Sequence, residues 1–71
     1  MENLKEFINW FNEEINDKDY LVTVKDKEVI VTNTVYKNSY GMVDLFKITK
    51  YCLYSKLQSN IFNGKLIIKN I

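Results

Sequence analysis

The stretch INDKDYLVTV, Ile15 to Val24, separates two different patterns of apolar residues. After it, apolar and polar residues alternate, which is typical of a strand with one buried face. Before it, apolar residues recur at the three- and four-residue spacing of one helical face: Leu4, Phe7, Ile8, Phe11 and Ile15. The two patterns predict a helix over residues 3–16 and a strand that begins at Tyr20.

A second alternating run at residues 29–35 predicts a hairpin. Lys25 and Glu28 are expected to lie opposite each other as a favourable charge pair, in a register that is the same whether the loop has two or four residues. In this register Val24 lies opposite Val29, and Val22 lies opposite Val31. One face of the hairpin is then apolar: Tyr20, Val22, Val24, Val29 and Val31.

The second half of the chain predicts one long helix over residues 42–61 and a short strand at 66–68. Asn63-Gly64 is interpreted as the signal that ends this helix. Because residues 48–52 favour strands, a hairpin over residues 42–58 is the alternative. The core side of the helix is expected to carry five apolar residues: Met42, Phe46, Leu53, Leu57 and Ile61.

These elements predict a single α+β domain over residues 1–71, with the order α-β-β-α-β. A right-handed crossover after the second strand would bring the third strand beside the first. We therefore expect a three-stranded antiparallel sheet, in the order 2-1-3, with two helices on one face. The helical stripes would be buried against the valine face of the hairpin.

Composition narrows the cellular setting. The segment MENLKEF is not typical of a signal peptide, and the longest apolar run, YCLY, is too short to span a membrane, so a cytoplasmic location is expected. Lys, Asn, Ile, Tyr and Phe are abundant, which suggests a low-GC genome.

The net charge of +1 is unevenly distributed along the chain. Residues 1–28 hold eight acids and four lysines, whereas residues 29–71 hold one acid and six lysines.

The sequence predicts no enzyme, cofactor or metal site. An EF-hand loop starting at Asp17 would place Leu21 and Val22 where a ligand and a glycine are needed. With no histidine and one cysteine, a zinc ligand set is not available. The candidate nucleophiles also have no imidazole to activate them. They are Cys52, Ser39, Ser55 and Ser59.

Two kinds of binding surface are expected instead. Lysines with interleaved tyrosines could contact nucleic acid phosphates, at Lys47, Lys50, Lys56, Lys65, Lys69, Tyr51 and Tyr54. A protein-binding surface is favoured, because an outward stripe on the long helix and a tryptophan at the edge of the first helix offer aromatic and apolar contacts. Its predicted contact residues are Trp10, Ile48, Tyr51 and Phe62.

The first helix and the strand start Lys18-Asp19-Tyr20-x-Val22, with Ile15 upstream, resemble small phage-encoded anti-CRISPR proteins, notably a type II effector inhibitor. The resemblance covers residues 4–24. It implies a protein that covers the DNA-recognition surface of the effector with an acidic patch. The matching acids here are Glu6, Glu13, Glu14, Asp17 and Asp19. The family inhibitor is strongly acidic, whereas this chain is near neutral.

The resulting prediction is a non-catalytic protein-binding inhibitor from a phage or mobile element. It is expected to bind and occlude a host CRISPR effector complex in the host cytoplasm. Two alternatives are open: a small nucleic-acid-binding regulator that uses lysines of the second half, and a structural subunit or homodimeric interaction module.

Overall fold

The computed structural model describes residues 2–16, 18–35 and 40–71. Within these ranges the elements follow the chain as α1 (Glu2–Glu14), β1 (Tyr20–Lys25), β2 (Glu28–Asn33), α2 (Met42–Tyr54), β3 (Leu57–Phe62) and β4 (Lys65–Asn70). The four strands form one antiparallel sheet in the spatial order β1-β2-β4-β3, and both helices lie on one face of it. The prediction of an α+β domain with two helices on one face is confirmed.

The first half of the chain matches the sequence prediction closely. α1 ends at Glu14, and Asn16 then adopts a positive φ of 45°, a conformation that asparagine tolerates at helix ends. β1 and β2 pair with Val24 opposite Val29 and Lys25 opposite Glu28, so the predicted register is confirmed. The polar cluster after Ile15 is therefore the connection that ends a helix and starts the hairpin.

The second half differs from the prediction, because α2 ends at Tyr54 and residues 57–70 form a second hairpin. Lys56 has a φ of 58°, which turns the chain out of the helix and into β3. Asn63 and Gly64, with φ values of 52° and 77°, form a two-residue turn between β3 and β4. An Asn-Gly pair is strongly favoured in such primed turns. The predicted helix over 42–61 and its Asn-Gly stop are wrong.

The extra strand also changes the sheet order. β4 lies between β2 and β3, with Val29 opposite Ile68 and Val31 opposite Leu66. The predicted three-stranded sheet in the order 2-1-3 is therefore wrong. The second hairpin adds two strands to the sheet. Its second strand, β4, pairs with β2, and its first strand, β3, therefore lies at the outer edge.

The core lies between the helices and one face of the sheet. α1 packs against β2 and β4, whereas α2 packs against β3. The buried side chains come from every element except β1: Leu4, Phe7, Phe11, Val29, Val31, Ile48, Cys52, Leu57, Leu66 and Ile68. The other sheet face is open and mixed in character, since lysine, threonine and isoleucine side chains alternate with the buried ones.

The Tyr40 hydroxyl satisfies backbone groups at the end of the central strand pair. It lies 2.8 Å from the Val31 carbonyl oxygen and 2.7 Å from that of Gly64, so its single proton can be donated to either one. It accepts a hydrogen bond from the Leu66 N–H at 3.1 Å. Burial raises the pKa of Tyr40, and the hydrogen bond from Leu66 partly opposes this shift.

Tyr20 links β1 to the start of α2. Its hydroxyl donates to the Asp44 carboxylate at 3.0 Å and accepts from the Gly41 N–H at 3.2 Å. Asp44 lies in the first turn of α2, where its negative carboxylate interacts favourably with the positive end of the helix dipole. Because the Tyr20 ring stacks on Tyr40 at 5.9 Å and meets Phe11 edge-on at 5.8 Å, this tyrosine pair connects both halves of the chain.

The substitution Tyr40→Phe should lower the free energy of unfolding by about 1–3 kcal/mol, because it leaves part-buried backbone groups without their partner. Tyr54→Phe removes the same atom from a side chain that is 77% exposed, and it should change stability by less than about 0.5 kcal/mol. Urea unfolding of both variants checks this. Equal stabilities would show that the Tyr40 hydroxyl is not structurally required.

Candidate functional site

The main candidate site is a groove between the two helices. Trp10 of α1 stacks on Tyr51 of α2 with ring centroids 4.4 Å apart and planes inclined by 22°. Phe7 lies beneath them, with its centroid 5.9 Å from that of Trp10 and 5.8 Å from that of Tyr51. Both outer rings are half-buried. The predicted contact residues Trp10 and Tyr51 are thus brought together and held in place by the core.

We call this feature the aromatic groove. It is an open groove with a volume of about 440 Å³, and it is lined by Trp10, Glu14, Lys47, Lys50, Tyr51, Tyr54 and Ser55. One rim belongs to α1 and carries a carboxylate, whereas the other belongs to α2 and carries two ammonium groups. Tyr54 projects beside the stacked pair with 77% of its surface exposed. The groove therefore offers fixed aromatic surface between rims of opposite charge.

The residues of the predicted acidic patch lie in different parts of the structure. Glu6, Glu13 and Glu14 are exposed on α1, three or four residues from Trp10, so they lie on the flank of the helix that forms the groove. Asp17 lies outside the described residues, as does Ser39. Asp19 precedes β1, where its backbone carbonyl accepts from the Thr34 N–H at 2.7 Å and from the Thr34 hydroxyl at 2.9 Å.

Two predicted contact residues do not belong to the groove. Ile48 is 1% exposed and lies in the core, so its assignment to a partner surface is corrected. Phe62 is 65% exposed, but it extends from β3 on the sheet face opposite the helices, away from Trp10. The error came from continuing the helical spacing beyond Tyr54, where α2 ends, which placed Ile48 and Phe62 on a common outward stripe.

The groove also contains Lys47, Lys50 and Tyr54, which were not assigned to a protein-binding surface. Lys47, Lys50, Tyr51 and Tyr54 follow the spacing i, i+3, i+4, i+7 and share one flank of α2. That spacing is visible in the sequence and could have identified the rim. The spacing alone does not predict a groove, because the facing ring of Trp10 and the acidic rim come from α1, which packs beside α2.

The lysines proposed for nucleic acid do not form one surface. Lys47 and Lys50 lie on α2 with the groove tyrosines, whereas Lys65 and Lys69 alternate with buried Leu66 and Ile68 and so extend from the open sheet face. The two pairs are on opposite sides of the molecule. A continuous basic track along a nucleic acid backbone would need them on one side.

Cys52 is the only cysteine, and its environment suppresses nucleophilic chemistry. It is 2% exposed, and burial raises the pKa of its thiol from the usual 9.0 to about 11. The thiol is therefore protonated near neutral pH, and the thiolate is the reactive form. Among the described residues no group of three or more potential ligands is arranged to hold a metal ion.

No protein family model, curated protein or solved structure matches this chain. In the described part of the chain, neither helix has the length and apolar character needed to cross a membrane.

Cys52 should resist thiol reagents in the folded protein at pH 8 and react fully after denaturation. Because the folded state retains the proton between about pH 9 and pH 11 while the unfolded state loses it, stability should fall as pH rises through this window. Alkylation followed by mass spectrometry measures the first effect, and urea unfolding at several pH values measures the second.

The pH comparison has a matched control. Cys52→Ala removes the titrating thiol, so its stability should decline less steeply above pH 9 than that of the unmodified chain. Rapid alkylation of the folded protein at pH 8 would contradict the buried position of Cys52.

Proposed function

We propose that this chain is a non-catalytic protein-binding module whose contact surface is the aromatic groove. The observation that carries the proposal is the Trp10–Tyr51 stack, supported from below by Phe7 and bordered by exposed Tyr54. Tryptophan and tyrosine dominate the binding energy of many protein interfaces. Rings that are already held in place lose little conformational entropy when a partner binds.

The charges around the groove favour a protein partner whose contact surface carries both positive and negative side chains. Glu14 on α1 faces Lys47 and Lys50 across the aromatic floor, and Glu6 and Glu13 extend the acidic side. Opposite charges on the two rims can orient a partner that carries the complementary pair. A uniformly charged polymer would be attracted to one rim and repelled by the other.

The finer proposal is an inhibitor of a host defence complex, acting in the host cytoplasm. It is supported by the resemblance of residues 4–24 to small phage-encoded anti-CRISPR proteins. An 8.5 kDa chain can inhibit by covering a surface that its target needs for substrate, without chemistry of its own. The mixed rims of the groove point to a protein surface on the effector as the contact, in place of the nucleic acid mimicry of the acidic family member.

The proposal is tested with a purified type II effector nuclease from a low-GC host, loaded with its guide RNA. The chain should co-purify with the effector and reduce DNA cleavage. Tyr54→Ala and Lys50→Glu should each weaken binding by about 1–2 kcal/mol, because the first truncates the exposed ring and the second reverses a rim charge. Affinity is measured by calorimetry, and circular dichroism checks that each variant is folded.

Matched controls lie on the opposite sheet face. Phe62→Ala removes another exposed ring, and Lys69→Glu reverses another exposed lysine, so both should bind as tightly as the unmodified chain. Loss of binding in these controls with retention in the groove variants would refute the assigned surface. An intact complex that leaves cleavage unimpaired would refute inhibition, and the lack of any complex would remove this effector class as the partner.

A further inference from the structure

A second surface lies on the other side of α2, where β3 forms an edge of the sheet. β3 pairs with β4 on one side, and no strand of the described residues pairs with its other side. The Ile71 N–H donates to the Lys56 carbonyl at 3.4 Å, which fixes the alternation of hydrogen bonds along the strand. It follows that Leu57, Ser59 and Ile61 direct their backbone N–H and C=O groups outward from the sheet.

Within the described parts of the chain, β3 has none of the features that usually prevent strand pairing. Residues 57–64, LQSNIFNG, contain no charged residue and no proline. Edge strands in monomeric proteins are commonly protected by lysine, proline, bulges or covering segments. β3 is regular over six residues and has only the ordinary two-residue turn at its end. The edge is therefore able to accept another extended strand.

Above this edge, α2 carries an exposed apolar stripe, which we call the apolar flank: Met42, Phe46, Thr49 and Leu53. Its three large side chains are 87%, 70% and 74% exposed, in chain order. A helix turns about 100° per residue, which places the flank on the opposite side of α2 from Tyr51. Because Tyr51 stacks against α1, the flank points away from α1 and beyond β3.

We propose that β3 and the apolar flank together form a two-fold interface with a second copy of this chain. The two β3 strands pair antiparallel, with Ser59 opposite Ser59 and Leu57 opposite Ile61 of the second copy. This register joins residues whose backbone groups both point outward, so the hydrogen bonds can form. It produces one eight-stranded sheet with all helices on the same face, and the two apolar flanks meet above the joined strands.

Charge is the reason for choosing a second copy as the occupant. A two-fold interface places each patch against itself, so charged patches would repel. Here residues 57–64 are uncharged, and Lys47 and Lys50 lie on the groove side of α2. A stable dimer needs about 800 Å² from each partner. That is roughly a sixth of the 5174 Å² surface of this chain, within reach of one strand edge and one helix flank.

The interface is independent of the proposed function. The aromatic groove lies on the α1 side of α2, so dimerisation leaves one groove open in each copy. Two grooves on one particle would bind a multivalent target more tightly than one groove can. Failure of dimerisation would leave groove binding intact, and failure of groove binding would leave the dimer intact.

Sedimentation equilibrium over concentrations on the order of 1 µM to 1 mM tests the interface. The chain should approach twice its 8.5 kDa mass as concentration rises. Phe46→Lys combined with Leu53→Lys should raise the dimer dissociation constant about tenfold or more, because four lysines would meet across the two-fold axis. Thr23→Lys adds a lysine on the open sheet face and should leave the constant unchanged.

Cross-linking tests the register. Ser59→Cys should form a disulfide-linked dimer on mild oxidation, since directly opposed strand residues lie at a distance that a disulfide can span. Lys69→Cys on β4 should not form one, and buried Cys52 is not available to compete. An 8.5 kDa monomer at all concentrations, or a dimer that is unaffected by the flank substitutions, would overturn the proposal. Absence of the Ser59→Cys cross-link in a dimer would overturn the register.

Discussion

The antiparallel pairing of β2 with β4 is the interaction on which the rest of the structure depends. It joins the α1-β1-β2 half of the chain to the α2-β3-β4 half, and its four inward side chains are at most 2% exposed: Val29, Val31, Leu66 and Ile68. Because these residues are far apart in sequence, the pair forms only after a large loop has closed. At one end of this strand pair, the Tyr40 hydroxyl forms hydrogen bonds with the Val31 carbonyl and the Leu66 N–H.

Once β4 occupies the centre of the sheet, the positions of the helices follow. α1 covers β2 and β4, and α2 covers β3, which it enters through the short connection Ser55-Lys56. The helices therefore lie side by side, and Trp10 meets Tyr51 above Phe7. The aromatic groove is a consequence of this packing, since its floor joins a ring from each helix and its acidic and basic rims belong to different helices.

α2 explains why two surfaces are available on so small a protein. Apolar side chains surround most of this helix, but only the side with Ile48 and Cys52 enters the core. One exposed flank carries Met42, Phe46 and Leu53, and the other carries lysines and tyrosines. In the proposed arrangement, the first flank is buried against a second copy of the chain and the second flank contacts a different protein partner. The first flank supplies apolar area, whereas the second supplies fixed aromatic rings with charge around them.

The sequence by itself determined the elements whose evidence is local. The helical spacing from Leu4 to Ile15, the alternation after Tyr20 and the Lys25–Glu28 register each depend on residues close together in the chain, and each matches the structure. Trp10 and Tyr51 were recognisable as candidate contact residues, since one lies at the edge of the apolar stripe of its helix and the other was expected on an outward-facing stripe. The Asn63-Gly64 hairpin was also visible locally, but it was interpreted as a helix stop.

Only the tertiary structure decided which face of α2 is buried, and hence where the candidate sites lie. Met42, Phe46 and Leu53 are as apolar as Ile48 and Cys52, so the pattern along α2 suits burial of either side. The decision came from the turn at Lys56, which joins α2 to β3, and from the insertion of β4 beside β2. Local periodicity reports that a helix has apolar faces. Which of them faces the core is settled by strands that lie elsewhere in the chain.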